Sequence, residues 1–561
     1  MLLHPAVPLF TTALVIPLLR GKIRTVAVVL GVCLSLIATA ALKPGMSWSV
    51  NVASMHLTPL KVDELSWLFG IIFALVALLG TIYSMHTHSA TEHAAAVTYA
   101  GSALGLTFAG DWITAFAFWE LMALASLAII WSGGQPGSRT AGFRYLFVHA
   151  LGGSLFFAGI TIHLSSGGGL AIAPLTSATT SQWAYGLILT AVLINAAVPP
   201  LHAWLTDAYP EASVSGMVFL SAFTTKGAVY LLIRVFPGSE LLVLAGVVMA
   251  LYGVVYAVLE NDIRRLLAYH IISQVGYMVA AVGIGTNLAL NGAAAHAFCH
   301  ILYKALLLMG AGAVIASTGQ RRLTELGGLA KFMPLVVILY TVGAFSISGV
   351  PLFNGFISKA MVLSAAEIDG RSAIALLLTL ASIGTFLHTG LKLPYFTFFT
   401  PKHQISVKKL PVNMLLAMFI TAGLCLFLGL YPEWLYTHLP MQPVLYEPYT
   451  MNHVVSTLQL LVGTTVGFWL LRSKVGGAPT YSLDVDVLYR KPTAFLMNSF
   501  VTSTKEMGRL NQQAATYILQ KLNGLAGVGP TSVPVYLERN LQPLNIIALL
   551  VLLLLVVLSL L

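Results

Sequence analysis

The stretch INAAVPPLHAWLTDAYPEAS, residues 194–213, decides the fold, because it lies inside a long apolar segment that would otherwise continue as one helix. Pro199 and Pro200 lack backbone N–H donors, and their rings clash with the preceding helical turn. A helix that enters this stretch must therefore stop near the prolines and restart beyond them. Inside a membrane, such a break requires protein or a water-filled cavity to satisfy the freed backbone groups.

The composition identifies the class of protein around this break. Among the 561 residues, 58% are hydrophobic and 9% are charged, and the mean hydropathy is +0.87. Spanning hydrocarbon as a helix takes roughly 20 apolar residues, and runs of this kind recur along nearly the whole chain. We therefore predict an all-α polytopic membrane protein of about sixteen transmembrane helices. This prediction excludes a soluble enzyme.

A second break is predicted at SISGVPLFNGFISK, residues 346–359, where Gly349, Pro351 and Gly355 interrupt another apolar segment. Two breaks at corresponding positions in two halves of a chain indicate an inverted repeat with ion sites near the middle of the membrane. We therefore predict two inverted repeats of about five helices each. The alternative is that the two sites are independent proline kinks.

Under this interpretation the chain divides into consecutive parts. They are N-terminal helices at 1–92, a first repeat at 93–236, a second repeat at 240–399, C-terminal core helices at 400–475, a cytoplasmic amphipathic lateral segment at 476–541, and a terminal transmembrane helix at 542–561. In the lateral segment, Pro492 can begin a helix, and apolar residues from Leu496 to Ile518 then recur at helical spacing. The alternative for that segment is an ordinary cytoplasmic loop helix.

Four charged residues lie inside the apolar segments: Glu120, Lys226, Lys304 and Lys359. A charge at bilayer depth costs about 2.5–3.5 kcal/mol on insertion scales, so a series of them indicates an ion or proton path. A carboxylate and a lysine side by side offset each other's desolvation, and alternating pairs can pass a proton stepwise. For Glu120 and Lys226 the alternative is a purely structural ion pair.

The segment around Lys304 also carries two histidines. His296, His300 and Lys304 are spaced by four residues and so share one face of a helix. Imidazoles suit a proton relay, because their ordinary pKa is near neutral. The alternatives are histidines that are merely hydrogen-bonded between helices, and a zinc site that includes Cys299, although no metal site is predicted. Further along, His388 and Lys392 are weaker candidates, and Lys392 is expected to snorkel to a helix end.

The cysteines bear on cofactors. Cys33, Cys299 and Cys425 lie in separate apolar segments, with no CxxC spacing and no second ligand pair. We therefore predict no iron–sulfur or zinc framework and no cofactor in this chain. If electron transfer powers the protein, the redox cofactors must lie in partner subunits.

The net charge of +10 is a product of topology and does not indicate nucleic-acid binding. Basic residues concentrate in alternate loops, for example at Arg20–Arg24, Arg264–Arg265 and Arg321–Lys331. The positive-inside rule makes these loops cytoplasmic and places both termini outside. We therefore predict a multi-pass protein of the cell (inner) membrane.

Four motifs together resemble a known family. They are, in chain order, LHAWLTDAYPEASVSGMVFLSAFTTKGAVYLLIR (201–234), NDIRRLLAYHIISQVGYM (261–278), HAFCHILYKALLLMGAG (296–312) and SGVPLFNGFISK (348–359). The chain thereby resembles the antiporter-like subunits shared by respiratory complex I, membrane-bound hydrogenases and Mrp-type cation/proton antiporters. The motifs around Lys226 and His270 look most like the D branch of the Mrp subunits. A lateral segment followed by a terminal crossing looks instead like the distal complex I subunit or its hydrogenase counterpart.

The resemblance implies a core of fourteen helices with two inverted five-helix repeats and a half-channel in each. It also implies roles for individual residues. Glu120 matches the family's fifth-helix glutamate, Lys226 its eighth-helix lysine, and Lys359 its twelfth-helix output residue. His296, His300 and Lys304 match the group on the eleventh helix.

One position departs from the family pattern. The family has a lysine seven residues before the histidine of its HxWL motif, and here that position is Asn195, seven before His202. Asparagine can hydrogen-bond a carboxylate but cannot hold or release a proton. Three consequences stay open: Lys226 or water pairs with Glu120, Glu120 and Asn195 coordinate a cation such as sodium, or the first half is inactive.

The sequence thus predicts a proton or cation/proton translocating subunit of a multi-subunit energy-coupling membrane complex, with other membrane subunits as partners. One alternative is a subunit of a redox-driven pump of the complex I or hydrogenase type. The other is a scaffold subunit with an inactivated first half-channel.

Overall fold

Apolar helices make up most of the chain, as the hydropathy predicts. The computed structural model describes residues 3–52, 55–176, 179–401, 405–476, 484–485 and 487, all within one compact unit, Met1–Arg490. The α-helices in these ranges are α1 Ala6–Val15, α2 Gly21–Ala41, α3 Glu64–Ser84, α4 Ala90–Phe108, α5 Trp112–Trp131, α6 Ser138–Ser165, α7 Gln182–Ala196, α8 Ala203–Ala208, α9 Gly216–Ala222, α10 Thr224–Val235, α11 Glu240–Leu259, α12 Ile263–Ile284, α13 Asn287–Thr318, α14 Pro334–Ser348, α15 Asn354–Ile368, α16 Ser372–Thr385, α17 Val412–Leu430, α18 Pro432–Tyr436 and α19 Met451–Val475.

Shorter turns and two strands complete the described elements. The 3₁₀ turns are Ile16–Leu18, Tyr209–Glu211, Leu323–Glu325 and Leu329–Lys331, the π-helical turns are Phe386–Lys392 and Tyr395–Phe399, and the strands are β1 Ser47–Val52 and β2 Met55–Lys61. β1 and β2 pair antiparallel between α2 and α3, with Trp48 opposite Leu60. This hairpin corrects the all-α prediction: polar residues alternate with apolar ones outside the spanning helices, and strand pairing satisfies their backbone.

The described part of the chain is a helical membrane protein. Eleven helices there are long and apolar enough to cross a membrane, with α9–α10 counted as one and α16 counted together with the π-helical turns. Three shorter apolar helices, Ala6–Leu18, Gln182–Ala196 and Pro334–Ser348, accompany them. The count of about sixteen crossings stays a prediction. The lateral segment, except for Gly476, Asp484, Val485 and Val487, and the helix predicted at 542–561 lie outside the described residues.

The centre of the fold is formed by α12 and α13, which are buried on nearly all sides, whereas α2 and α19 lie at the periphery. α11 packs along α12 through glycines that let the two backbones approach closely. A Cβ added to Gly246 would come 2.3 Å from Ala280 N, and one added to Gly276 would come 2.5 Å from Gly246 O. The faces of α12 and α13 that point away from α11 carry the polar side chains described below.

At the first break, α7 ends at Ala196 and Ala197 takes a left-handed conformation with φ of 59°. Ala197 N–H donates to Ile194 O at 3.0 Å, and Val198 N–H donates to Leu193 O at 3.1 Å. This pair of hydrogen bonds is a Schellman motif, which satisfies carbonyls that the broken helix would otherwise leave free. Trp204, beyond the prolines, donates its indole N–H to Ile194 O at 2.9 Å.

The second break has the same backbone arrangement. α14 ends at Ser348, and Gly349 is left-handed with φ of 74°. Gly349 N–H donates to Ser346 O at 3.1 Å, and Val350 N–H donates to Phe345 O at 3.0 Å. α7 and α14 also have the same length of 15 residues. Two helices that come before Val-Pro sequences therefore stop in the same way.

The two left-handed positions predict opposite effects of exchanging alanine and glycine. A left-handed conformation costs an L-residue about 1–2 kcal/mol, and glycine avoids this cost. We expect Gly349→Ala to lower the free energy of unfolding by about this amount and Ala197→Gly to raise it. A Cβ at Gly349 would lie 3.7 Å from Lys359 Cδ, so no steric clash confuses the result.

Equilibrium unfolding of the two purified variants and the wild-type protein in detergent measures both changes. Gly423→Ala, in α17 with open space at the Cβ position, is the matched control and is expected not to destabilise. Equal stabilities of Gly349→Ala and Ala197→Gly would contradict the left-handed assignment.

Candidate functional site

Glu120 lies on α5 and faces α6. Its Oε1 is shielded from solvent and has no hydrogen-bond partner. The carboxylate fits against Gly153 of α6, where an added Cβ would come 1.9 Å from Oε1. In the described part of the chain no salt bridge joins Glu120 to a lysine, so the ion pair with Lys226, one of the alternatives left open by the sequence, is not present.

Asn195 lies in the last turn of α7, next to the first break, and is buried with both amide atoms unpartnered. Its amide faces the imidazole of His149 on α6 without completing a hydrogen bond to it. The His149 ring is held between Tyr145, with centroids 4.0 Å apart, and Trp204, at 4.6 Å. The sequence analysis did not single out His149.

Lys226 is fully buried on α10, one turn after the interruption that separates α9 from α10. The Lys226 ammonium donates to Ser221 O at 2.7 Å and to Thr225 Oγ1 at 3.1 Å. A backbone carbonyl near the end of α9 therefore takes the place of the expected carboxylate.

The three residues that share a face of α13 are all fully buried. Lys304 donates to Leu267 O of α12 at 3.3 Å, and His296 Nδ1 lies 3.0 Å from Ser358 Oγ on α15. Both ring nitrogens of His300 are unpartnered. Lys226 lies within electrostatic range of all three residues, so the structure brings the Lys226 side chain and the α13 group together.

His270, Gln274 and Tyr277 on α12 join this group, although the sequence analysis did not select them. Their spacing of four and three residues places them on one helix face, a signal that the motif NDIRRLLAYHIISQVGYM already contained. His270 packs edge-on against His388, with ring centroids 4.7 Å apart, and Tyr303 OH donates to Gln274 Oε1 at 3.3 Å. His270 has both ring nitrogens unpartnered.

Lys359 lies on α15, just beyond the second break. Its ammonium donates to Ile347 O at 2.9 Å and to Ser382 Oγ at 3.2 Å, and it lies 5.4 Å from the centroid of the Tyr277 ring. Ile347 is in the last turn of α14, so the negative end of a half-helix stabilises this buried charge. Ser358, the neighbour of Lys359, links it to His296.

A cavity of about 240 Å³ adjoins Lys359. It lies between α15, α16 and α19, and its polar lining includes Ser382, Ser364, Glu367 and His453. Ser364 Oγ lies 3.3 Å from His453 Nε2, and Glu367 is exposed. The cavity therefore connects the buried ammonium with the surface near the end of α15 and the start of α19.

Lys392 reaches a helix end but does not reach solvent. It is buried, and its ammonium donates to Val258 O at 2.5 Å and to Glu260 O at 3.1 Å, both at the carboxyl end of α11. The expected snorkelling is thus replaced by capping of a neighbouring helix. His388, in the same segment, contacts His270.

The zinc alternative for the α13 histidines concerns residues inside the described ranges. No group of three or more His, Cys, Asp or Glu residues there gathers in a way that could hold a metal ion. Cys299 is a free buried thiol, and no third ligand accompanies His296 and His300.

Asp484, far along the chain, contacts the first break. Its carboxylate accepts hydrogen bonds from His202 Nε2 at 3.1 Å and from the hydroxyls of Tyr252 and Tyr269, each at 2.5 Å. Burial raises the pKa of this carboxyl group, but the His202 and tyrosine partners outweigh burial and hold the pKa below its usual range. The histidine of the broken helix is therefore fixed by a residue from the segment after α19.

We expect Asp484→Asn to lower the melting temperature at pH 7, with a loss of about 1–2 kcal/mol, because charge-assisted hydrogen bonds become neutral ones. A depressed carboxyl pKa contributes stability above the unfolded value of about 3.9 and loses it as pH falls through the folded pKa. The difference between the variant and the wild-type protein should therefore shrink below about pH 4. Thermal melts of the variant and the wild-type protein across a range of pH measure this difference in stability. The control is Asp369→Asn, because Asp369 forms an ion pair with Arg371 in which both side chains are 28% exposed. A difference independent of pH would contradict the assignment.

Known proteins share parts of this sequence and fold. The family model described as NADH:quinone oxidoreductase/Mrp antiporter, TM, matches residues 109–388, which include both breaks and the residues from Glu120 to His388. An uncharacterized protein of Methanocaldococcus jannaschii is 30% identical over 59% of this chain and 73% of its own length. A Na(+)/H(+) antiporter subunit of Alkalihalophilus pseudofirmus is 33% identical over 48% of this chain and 58% of its own length.

A solved structure shares the fold. A chain of the membrane-bound sulfane sulfur reductase, an archaeal respiratory membrane complex, superposes with a TM-score of 0.72 at 23% identity, covering 98% of this chain and 99% of that chain. The sequence and fold matches agree with the four motifs. The chain belongs to the NADH:quinone oxidoreductase/Mrp antiporter family of antiporter-like membrane subunits.

Proposed function

We propose that the chain translocates protons, alone or in exchange for a cation, as one subunit of a multi-subunit energy-coupling membrane complex. The observation that carries this proposal is a file of buried ionisable side chains that ends at a surface-connected cavity. Lys226 lies within electrostatic range of the three α13 residues, and His296 of that group contacts Ser358, the neighbour of Lys359. Desolvating so many ionisable groups is costly, and transport gives a physical reason to retain them.

The buried lysines are suited to exchange protons because no carboxylate neutralises them in the described part of the chain. Backbone carbonyls bind Lys226, Lys304 and Lys359. A carbonyl dipole stabilises an ammonium group, but it can also accept a hydrogen bond from the neutral amine, so either protonation state fits the site. The unpartnered nitrogens of His300 and His270 leave positions for water molecules that would complete the path.

We propose that protons exchange with the outside at the Lys359 end. The cavity begins at the Lys359 ammonium and reaches exposed Glu367, near the loop before α16. α19 begins at the same face, after residues 431–450, where His438 stacks on Trp67 next to the β1–β2 hairpin. The predicted topology makes this face external.

The two breaks support the proposal of two inverted repeats at 93–236 and 240–399. α7 and α14 have equal lengths and the same Schellman ending before a Val-Pro sequence. Each ending directs helix carbonyls toward a transport candidate, because Lys359 binds Ile347 O and Asn195 lies in the last turn of α7. Half-helix ends near the middle of the membrane are the usual ion sites of such repeats.

The partner complex is proposed from the relatives. One relative is named as an antiporter subunit and one solved complex as a respiratory reductase. Purification of the native complex distinguishes the two. Partner subunits with iron–sulfur or nickel sites identify a redox-driven pump, whereas small membrane subunits alone identify an Mrp-like antiporter.

A sodium-coupled function has one observation in its favour. Glu120 Oε1 and Asn195 Oδ1 are both shielded oxygens without a hydrogen-bond partner. The ends of broken helices are where transporters coordinate sodium, and Asn195 lies in the last turn of such a helix. Ion flux that is unchanged over a wide range of sodium concentration excludes this function.

Proton flux in vesicles reconstituted with the purified complex tests transport. We expect Glu120→Gln and Lys359→Ala each to reduce the flux at least about tenfold, because each removes a group that holds a proton inside the membrane. Glu240→Gln and Lys61→Ala are matched controls, since both side chains are exposed and lie outside the path. Wild-type flux in an assembled complex with either Glu120→Gln or Lys359→Ala would favour the scaffold function.

Cysteine labelling tests the cavity. The background for this test is Cys33→Ala, in which the native cysteines that remain are the buried Cys299 and Cys425. In this background we expect Ser382→Cys to react with a membrane-impermeant thiol reagent that is added on the side of the membrane where the β1–β2 hairpin lies. Thr385→Cys, at a fully buried position one turn away, is the unreactive control. Labelling from the opposite side only would reverse the proposed direction of the exit.

A further inference from the structure

The first repeat lacks the lysine that its family pattern has at Asn195, and the structure offers a different basic group in the same place. His149 on α6 is 2% exposed, and neither of its ring nitrogens has a hydrogen-bond partner. Its ring faces the amide of Asn195. A buried imidazole with both nitrogens free is poor for stability, so another role should account for it.

His149 lies one helical turn from Gly153, the residue of α6 that Glu120 packs against. The Glu120 carboxylate fits against Gly153, and positions 149 and 153 share one face of α6, about 6 Å apart. Gly152, between them, faces Ile194, the neighbour of Asn195, with 3.5 Å between its added Cβ and Ile194 Cγ2. These contacts place the carboxylate, imidazole and amide on neighbouring turns where α5, α6 and α7 meet, an arrangement in which water can bridge polar groups that do not touch.

A set of hydroxyl groups runs from Tyr145, beside His149, to Thr224, two residues before Lys226. We define the hydroxyl cluster as Tyr99, Ser126, Tyr145, Tyr209 and Thr224. Tyr145, on which His149 stacks, has its hydroxyl 2.7 Å from Ser126, and Tyr99 OH lies 2.6 Å from Thr224 Oγ1. Tyr209 OH faces those of Tyr99 and Thr224. Thr225, next in the chain, accepts a hydrogen bond from the Lys226 ammonium.

We propose that His149 replaces the absent lysine as the proton partner of Glu120, and that the hydroxyl cluster connects it to Lys226. This inference rests on the proposed transport function. A proton leaves the Glu120 carboxyl group for the neutral imidazole, which leaves a carboxylate beside an imidazolium. The imidazolium then releases a proton through water and the hydroxyl cluster, each hydroxyl accepting one proton as it donates another, to the neutral amine of Lys226. Asn195 orients the ring and holds no proton.

The same arrangement disfavours sodium in the first half. A cation bound by Glu120 Oε1 and Asn195 Oδ1 would lie beside a basic ring with two free nitrogens. When the ring carries a proton, the two positive charges repel in a poorly screened space. His149 and sodium therefore compete for the same carboxylate.

The test measures proton flux in vesicles with the assembled complex. We expect His149→Gln, which removes the base and keeps a polar side chain, to reduce flux about tenfold or more. We expect Asn195→Lys in the His149→Gln background to restore flux, because it returns an ammonium group to the same space from α7. A merely structural role for His149 would not produce this rescue. His163→Gln, on the same helix but bonded to Gly169 O and Thr180 near its outer end, is the matched control with wild-type flux.

The outcomes separate this inference from the proposed function. If Glu120→Gln abolishes flux while His149→Gln leaves it intact, the His149 inference is overturned and the transport function stands. If flux survives Glu120→Gln itself, both are overturned. Should His149→Gln fail to assemble, His149→Lys replaces it: retained flux with an ammonium at this position supports the inference, and lost flux in an assembled complex overturns it. If the wild-type flux depends on sodium and His149→Gln leaves the flux unchanged, the space beside Glu120 and Asn195 is a cation site and the His149 inference is overturned.

Discussion

The bond between a buried ammonium group and the carbonyl end of an interrupted helix is the interaction on which the rest of the structure depends. Lys226 binds a carbonyl near the end of α9, Lys359 one at the end of α14, and Lys392 two at the end of α11. A helix can present free carbonyls inside a membrane only where it stops. The interruptions that stop these helices, at α14 a glycine followed by a Val-Pro sequence, therefore also make it possible to bury the charges.

This chemistry differs from the carboxylate–lysine pairs that the charge pattern first suggests. An ion pair fixes both partners in their charged forms, because removing either charge leaves the other uncompensated. A carbonyl dipole fixes the ammonium less firmly and accepts either protonation state. The described part of the chain uses carboxylate partners for arginines near the membrane surfaces, such as Arg144 with Asp207 and Arg234 with Asp63. Fixed and exchangeable cations are thus held by different partners in different places.

The sequence predicts the features that depend on local chemistry. Proline removes a donor at a known position, so the break near Pro199 can be placed without a structure, and a spacing of four groups His296, His300 and Lys304 on one face. Features that depend on helix packing could not be predicted. The proximity of His149 to Glu120 and Asn195 requires knowing which faces of α5, α6 and α7 meet. Asp484 reaches His202 across about half of the chain, and no local pattern indicates such a contact.

The glycine contact between α11 and α12 has a consequence for ion leakage. Where Gly246 and Gly276 bring two backbones together, any added carbon atom would overlap the other helix, so a water molecule does not fit between them either. Protons move along water and polar side chains, and the contact between Gly246 and Gly276 offers neither. At this height along α12, close-packed peptide backbone therefore separates the polar face, with His270 and Gln274, from α11 and leaves protons no path between the two helices.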